Sequence, residues 1–275
     1  MTPERLFDGD LIRASVFNPG QDRLFVSFRQ RLDQPGAFGD PRPVRSFTDK
    51  GMTHLHLQAR WNDWYINDET EALEAVLSAF AGAFDHACAM GFSMGGYAAF
   101  RFAGALRLRQ VIAISPQYSI APAHVPFDRR YRDCAGGFDA ALGDLGARGT
   151  GLEGLILADP FRPLDIRNAR LIQGAFPGMR LARLAAGGHP ATGVLGETGR
   201  FGKLQAQLTK PGVPLRRVIM LHRNARRQSA KYWRHLAARA RKTGRTALAE
   251  TALARAEALH AKAGRGPGGE TGKPA

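Results

Sequence analysis

Residues 86–104, HACAMGFSMGGYAAFRFAG, decide the fold. The first half is an apolar run of strand length, and the second half repeats small and aromatic residues at helical spacing. Between them lies Gly91-Phe92-Ser93-Met94-Gly95, one serine framed by glycines at a strand-to-helix junction. A serine in such a turn stands on strained backbone, and the glycines are needed because strand and helix approach too closely for side chains. The turn lifts the Ser93 hydroxyl clear of the sheet. The amide of Met94, at the start of the helix, points at the place where an oxyanion forms when a hydroxyl attacks a carbonyl.

A serine hydroxyl needs a base to take its proton, and the base needs a carboxylate to orient it. Both occur downstream, in the order serine, acid, histidine. Asp159 closes the run GLILAD, where Pro160 stops the strand, and His189 follows the last apolar run in LARLAAGGHPATG. The C-terminal ends of parallel strands share one sheet edge, so the two residues are expected on the edge that carries Ser93. Asp165 is the competing acid. In PLDIRNA it reads instead as an N-cap that starts the next helix, which places Asp159 ahead of it. His54 and His56 alternate along one strand and read as structural, His86 precedes the serine strand at its far end, and His124 lies in a loop.

Working outward, strand-length runs at 13–18, 23–28, 53–58, 86–92, 110–115, 154–159 and 180–185 alternate with helical patterns at 69–82, 94–106, 165–176 and 191–208. This is the pattern of an α/β fold, a mainly parallel sheet with helices on both faces, its first strands antiparallel. A stretch rich in Pro, Gly, Asp and Arg at 116–151 interrupts it as a lid-like insertion. With these residues in these positions, the chain from about 10 to 210 resembles the α/β-hydrolase superfamily. The resemblance implies Ser93 as nucleophile, Asp159 as acid, His189 as base, and a serine hydrolase or acyltransferase acting on an ester or related acyl substrate through an acyl-enzyme. The chain departs from the family after RLFVSF. Many relatives have a His-Gly or Gly-rich run there, and this chain has FRQRLDQPGAFGD, so Phe28 or Arg29 is expected to supply the second oxyanion amide beside Met94. That departure leaves open an alternative of another class, a non-catalytic hydrolase-fold adaptor. Arg29 and Arg31 are positioned to meet an anionic substrate or to be merely solvated. Trp61, Trp64 and Tyr65, in ARWNDWYIND after another strand end, are expected to wall the substrate pocket.

Composition bounds the rest. The 275 residues are 44% hydrophobic, enough for a sizeable core, and no run is long and apolar enough to cross a membrane. An acid-containing N-terminus without an apolar stretch reads as cytoplasmic. Cys88 and Cys134 have no metal or redox spacing, and no phosphate loop, zinc pattern or dinucleotide fingerprint appears, so no cofactor or metal is expected. The net charge of +15 belongs to the tail: residues 211–275 hold fifteen Lys or Arg against three Asp or Glu. Residues 211–263 read as a basic helical hairpin broken at Gly244, with Trp233, Leu236 and Ala240 on one face, and 264–275 as disordered. The hairpin is a candidate surface for a protein partner or an anionic surface, nucleic acid being the less expected one.

Overall fold

The computed structural model describes residues 2–148 and 151–264. Its strands are β1 (Glu4–Asp8), β2 (Ile12–Phe17), β3 (Arg23–Phe28), β4 (Thr53–Ala59), β5 (His86–Phe92), β6 (Leu108–Ile114), β7 (Glu153–Ala158) and β8 (Met179–Arg183). They form one sheet in the order β1-β2-β4-β3-β5-β6-β7-β8. The β1–β2 and β2–β4 pairings are antiparallel, and β4–β3 and every pairing after it are parallel. β1 is the strand that sequence patterning misses. It is a half-exposed edge strand without the continuous apolar run of the buried ones.

The helices are α1 (Arg45–Thr48), α2 (Thr70–Ala81), α3 (Met94–Arg101), α4 (Pro163–Ala175), α5 (Gly193–Glu197), α6 (Phe201–Gln205), α7 (Leu215–Ala225), α8 (Ala230–Lys242) and α9 (Thr246–Gly264). The helix expected over 191–208 is broken in two, because Gly199 turns left-handed at φ 65°.

Strand side chains alternate between two cores. Ala87, Ala89, Val111, Ala113 and Ile156 face the layer that contains α2, α3 and α4. Cys88, Met90, Ile112, Ile114, Leu155 and Leu157 face the layer that contains α1 and α5–α7. A two-sided apolar strand must be covered on both faces, and each large aliphatic side chain so buried contributes about 1.5–3 kcal/mol.

The expected boundary at residue 210 is displaced by this packing. Val218 and Ala225 of α7 are fully buried in the second core, so α7 belongs to the α/β body and the hairpin is α8 and α9 alone. Buried alanines make the seam between these two helices: Ala237 and Ala240 on α8, and Ala249, Ala252 and Ala256 on α9. Gly244 turns the chain between them at φ 70°. The hairpin docks on the body through Glu197 at the end of α5, whose carboxylate accepts from the Ser229 hydroxyl and, at 3.0 Å, from the Lys231 amide. The Trp233 indole donates to the Arg227 carbonyl at 3.2 Å, and Arg255 of α9 stacks on its ring. Among the described residues no helix is long and apolar enough to cross a membrane. Of the stretch expected to be disordered, all but Gly264 lies outside the described residues.

Candidate active site

Ser93 occupies the turn from β5 to α3 with φ 48° and ψ −116°, a left-handed backbone that only a tight surrounding structure sustains. Its amide donates to the Ile114 carbonyl of β6 at 2.9 Å, and its carbonyl accepts from Tyr97 in α3 at 3.0 Å. The flanking glycines are steric necessities. A Cβ on Gly91 would strike the Gly95 carbonyl, and one on Gly95 would come within 2.8 Å of the Phe28 carbonyl.

The Ser93 hydroxyl lies 3.3 Å from His189 Nε2, and His189 Nδ1 lies 2.8 Å from Asp165 Oδ2. The structure thus joins Ser93 and His189 but brings Asp165, not Asp159, to the histidine. Both oxygens of Asp159 are taken by backbone: Oδ1 accepts from Phe161 at 2.9 Å and Ala186 at 3.0 Å, and Oδ2 from Gly188 at 2.9 Å. Its carboxylate ties the end of β7 to the loop that carries His189.

The N-cap reading of Asp165 fails because α4 starts two residues earlier, at Pro163, with Arg162 as its cap residue and no side-chain cap bond. Proline is favoured at the first helical position, and that was the available signal. It puts Asp165 inside the first turn, 1% exposed, with Arg130 Nη1 at 2.6 Å from its second oxygen. Burial acts to raise the Asp165 pKa, but the hydrogen bond and charge of His189 and the charge of Arg130 outweigh it and hold the carboxyl below its ordinary range.

Arg130 comes from the 116–151 insertion, whose residues sequence reasoning left unassigned. Its Nε and Nη2 clasp Asp128 at 2.9 and 2.7 Å. The same insertion supplies Gln117, fully buried, whose Oε1 lies 3.2 Å from the Ser93 hydroxyl and 3.3 Å from Trp64 Nε1. It also supplies Tyr131, which with Gln30, Arg31, Ser93, His189 and Pro190 lines a cleft of about 180 Å³. A larger cavity of about 580 Å³, lined by Trp61, Ile66, Asp133 and Cys134 among others, shares Arg31 with this cleft.

Besides Asp159, four of the expected site residues are placed otherwise than the sequence suggests. The Arg29 amide donates to the Leu57 carbonyl at 2.9 Å, so it is not free for an oxyanion, and Phe28 is the last residue of β3, paired with Leu57 inside the sheet. The residues that follow, Gln30 and Arg31, line the cleft. Met94 keeps its place as the first residue of α3, where an amide has no acceptor within the helix. Of the three aromatic residues expected to wall the pocket, Trp61 lines a cavity, at 47% exposure. Trp64 and Tyr65 are fully buried. They adopt left-handed backbone at φ 55° and 60°. The Tyr65 hydroxyl lies 3.0 Å from each of the Arg29 and Leu57 carbonyls, which holds the loop after β3 in place.

No protein-family model and no curated protein matches this chain. Among solved structures it is similar to Est1E from Butyrivibrio proteoclasticus, at 12% identity over 76% of this chain and 100% of that one, with a TM-score of 0.49. It is similar to an esterase from Pyrococcus furiosus at 11% identity, over 78% and 91% of the two chains, with a TM-score of 0.47. It is also similar to the capsule O-acetyltransferase of Neisseria meningitidis serogroup A at 14% identity, over 64% and 85%, with a TM-score of 0.46. The sheet order, the serine turn after β5 and the later loops on the same edge are features of the chain itself, and they give it the fold of the α/β-hydrolase superfamily.

Proposed function

We propose that this chain is a serine-dependent enzyme that cleaves carboxylic esters or transfers their acyl group, with Ser93 as nucleophile, His189 as base and Asp165 as the acid that orients it. One observation carries the reading: the unbroken line from the Ser93 hydroxyl through both ring nitrogens of His189 to Asp165, at 3.3 and 2.8 Å, opening on a cleft. With Nδ1–H donating to Asp165, Nε2 is left unprotonated and accepts the serine proton during attack. Asp165 then stabilises the imidazolium, and the amide of Met94 faces the oxyanion. The acyl-enzyme is released to water or to another hydroxyl. The cavity lined by Trp61 has room for the larger part of a substrate beside the reacting carbonyl.

A fluorophosphonate reacts covalently only where a serine is activated, so the full chain is expected to label, with the adduct mapping to Ser93. A chain that stays unlabelled under conditions where it is folded would overturn the reading.

A further inference from the structure

With the Arg29 amide committed to Leu57, the loop after β3 meets the cleft through Gln30 and Arg31. A side chain stands at the same place. Tyr131 lines the cleft together with Ser93, Gln30 and His189, and it is held there from two directions. Its ring packs 4.8 Å from that of Trp64, centroid to centroid, at 53°. The Trp64 indole donates to Gln117 Oε1, the oxygen that also accepts from the Ser93 hydroxyl. On the chain side the preceding residue, Arg130, is fixed by two guanidinium bonds and one amide bond to Asp128 and one guanidinium bond to Asp165, and Asp128 accepts a further bond from Asn168 Nδ2 at 2.9 Å. The residue that presents Tyr131 is therefore tied to the acid that orients His189, and the ring itself to the wall beneath the nucleophile. A donor fixed before the reaction stabilises developing charge without reorganising, the property that makes such groups effective. Burial pushes the phenol pKa up, and the charge of Arg130 and the nearby Ser93 hydroxyl only partly oppose this, so the phenol keeps its proton to donate.

We propose that the Tyr131 hydroxyl, carried by the 116–151 insertion, is a catalytic oxyanion donor, an inference that rests on the serine mechanism above. As the Ser93 Oγ–carbon bond forms, the carbonyl π pair moves onto its oxygen and the Ser93 proton passes to His189 Nε2. The Tyr131 O–H donates a hydrogen bond to that oxygen and retains its proton. When the intermediate collapses, the C=O bond re-forms, the bond to the leaving alcohol breaks, and the proton returns from His189 to the leaving oxygen. The insertion then completes the reaction centre as well as covering it, in a chain that has Arg29 and Gln30 rather than glycine directly after β3.

The test is Tyr131→Phe, which keeps the ring on Trp64 and removes only the hydroxyl. Turnover of p-nitrophenyl acetate, the thermal midpoint, and the affinity for an aryl trifluoromethyl ketone, which forms a tetrahedral oxyanion on the serine, are measured on the full chain. The expected result is a fall in kcat of about 10²-fold. KM and the melting temperature should hold, and ketone affinity should fall by the same factor as kcat/KM. A kcat within about threefold of wild type overturns the proposal, and so does a loss of kcat with ketone affinity unchanged. Wild-type protein that neither labels with a fluorophosphonate nor cleaves the ester overturns the serine mechanism itself and this inference with it. Wild-type protein that does both leaves Tyr131 alone on trial.

Discussion

Asp165 Oδ2 stands 2.8 Å from His189 Nδ1 while Oδ1 of the same carboxylate binds Arg130, and Asp159, six residues earlier, accepts from the backbone amides of Phe161, Ala186 and Gly188. The two carboxylates therefore fail differently when neutralised. Asp165→Asn removes the charge that stabilises the imidazolium and the acceptor that selects the tautomer, so kcat should fall by about 10³–10⁴-fold. Asp159→Asn replaces one acceptor oxygen by a donor facing amides of the His189 loop. It should cost about 1–3 kcal/mol of stability with a smaller loss of kcat. Ester turnover and thermal unfolding of both variants decide the matter, and the reverse ranking would return the acid role to Asp159.

Removing the Ser93 hydroxyl should leave the fold in place. The Ser93 hydroxyl is satisfied by Gln117 and His189, and Gln117 Oε1 keeps its bond from Trp64 when the hydroxyl is gone. Ser93→Ala should abolish ester turnover while changing stability by no more than about 1 kcal/mol. Turnover at the wild-type level would take Ser93 out of the mechanism.

A pair of histidines away from the cleft predicts an acid-sensitive fold. The Val44 amide donates to His54 Nδ1 at 3.2 Å, which leaves the His54 proton on Nε2, 2.8 Å from the Ser27 hydroxyl. Ser27 then donates to His56 Nδ1, also at 2.8 Å. The relay works only with both rings neutral. Burial lowers the His54 pKa to about 3, with His56 adding to the effect, and burial and the Arg29 charge lower that of His56 to about 4. With the folded values depressed, the unfolded chain takes up protons first. Stability is then full above the ordinary histidine value of 6.5 and is lost as pH falls from there toward 4, by roughly 3 kcal/mol per histidine. The melting temperature should drop steeply over that window, and His56→Gln, which cannot titrate but can accept from Ser27, should show a shallower slope. A melting temperature flat from pH 7 to about 4 would break the argument.

The hairpin is expected to matter for the site as well as for the surface. His235 of α8 hydrogen-bonds the Ala186 carbonyl at 3.1 Å, and its ring lies so close over Gly188 that a Cβ there would collide with it. Gly188 precedes His189. Truncation before Ser229 should therefore lower both the melting temperature and the rate of fluorophosphonate labelling, because the loop carrying His189 loses its cover. Truncation after Lys210 also removes α7 and should prevent folding, since Val218 and Ala225 leave the second core. A fragment ending at residue 228 that melts and labels like the whole chain would make the hairpin an independent appendage.

What the sequence by itself determined was local or periodic. Glycines around Ser93 mark a turn whose backbone and close contacts allow little else, and two-sided apolar runs mark parallel strands whose C-terminal ends share one edge, which brings His189 to Ser93. The edge strand β1 escaped because half-exposed residues carry no such run. Where the first turn of α4 faces, and hence that Asp165 rather than Asp159 meets His189, depends on the docking of that helix and on Arg130 arriving from a segment 35 residues away in sequence. The burial of Trp64 and Tyr65, and the insertion that brings Gln117 and Tyr131 to Ser93, likewise follow from contacts between distant segments. Spacing along the chain records a residue's period and its neighbours, whereas the direction of a side chain at a loop or helix end is set by what packs against it, and that was decided only in the folded structure.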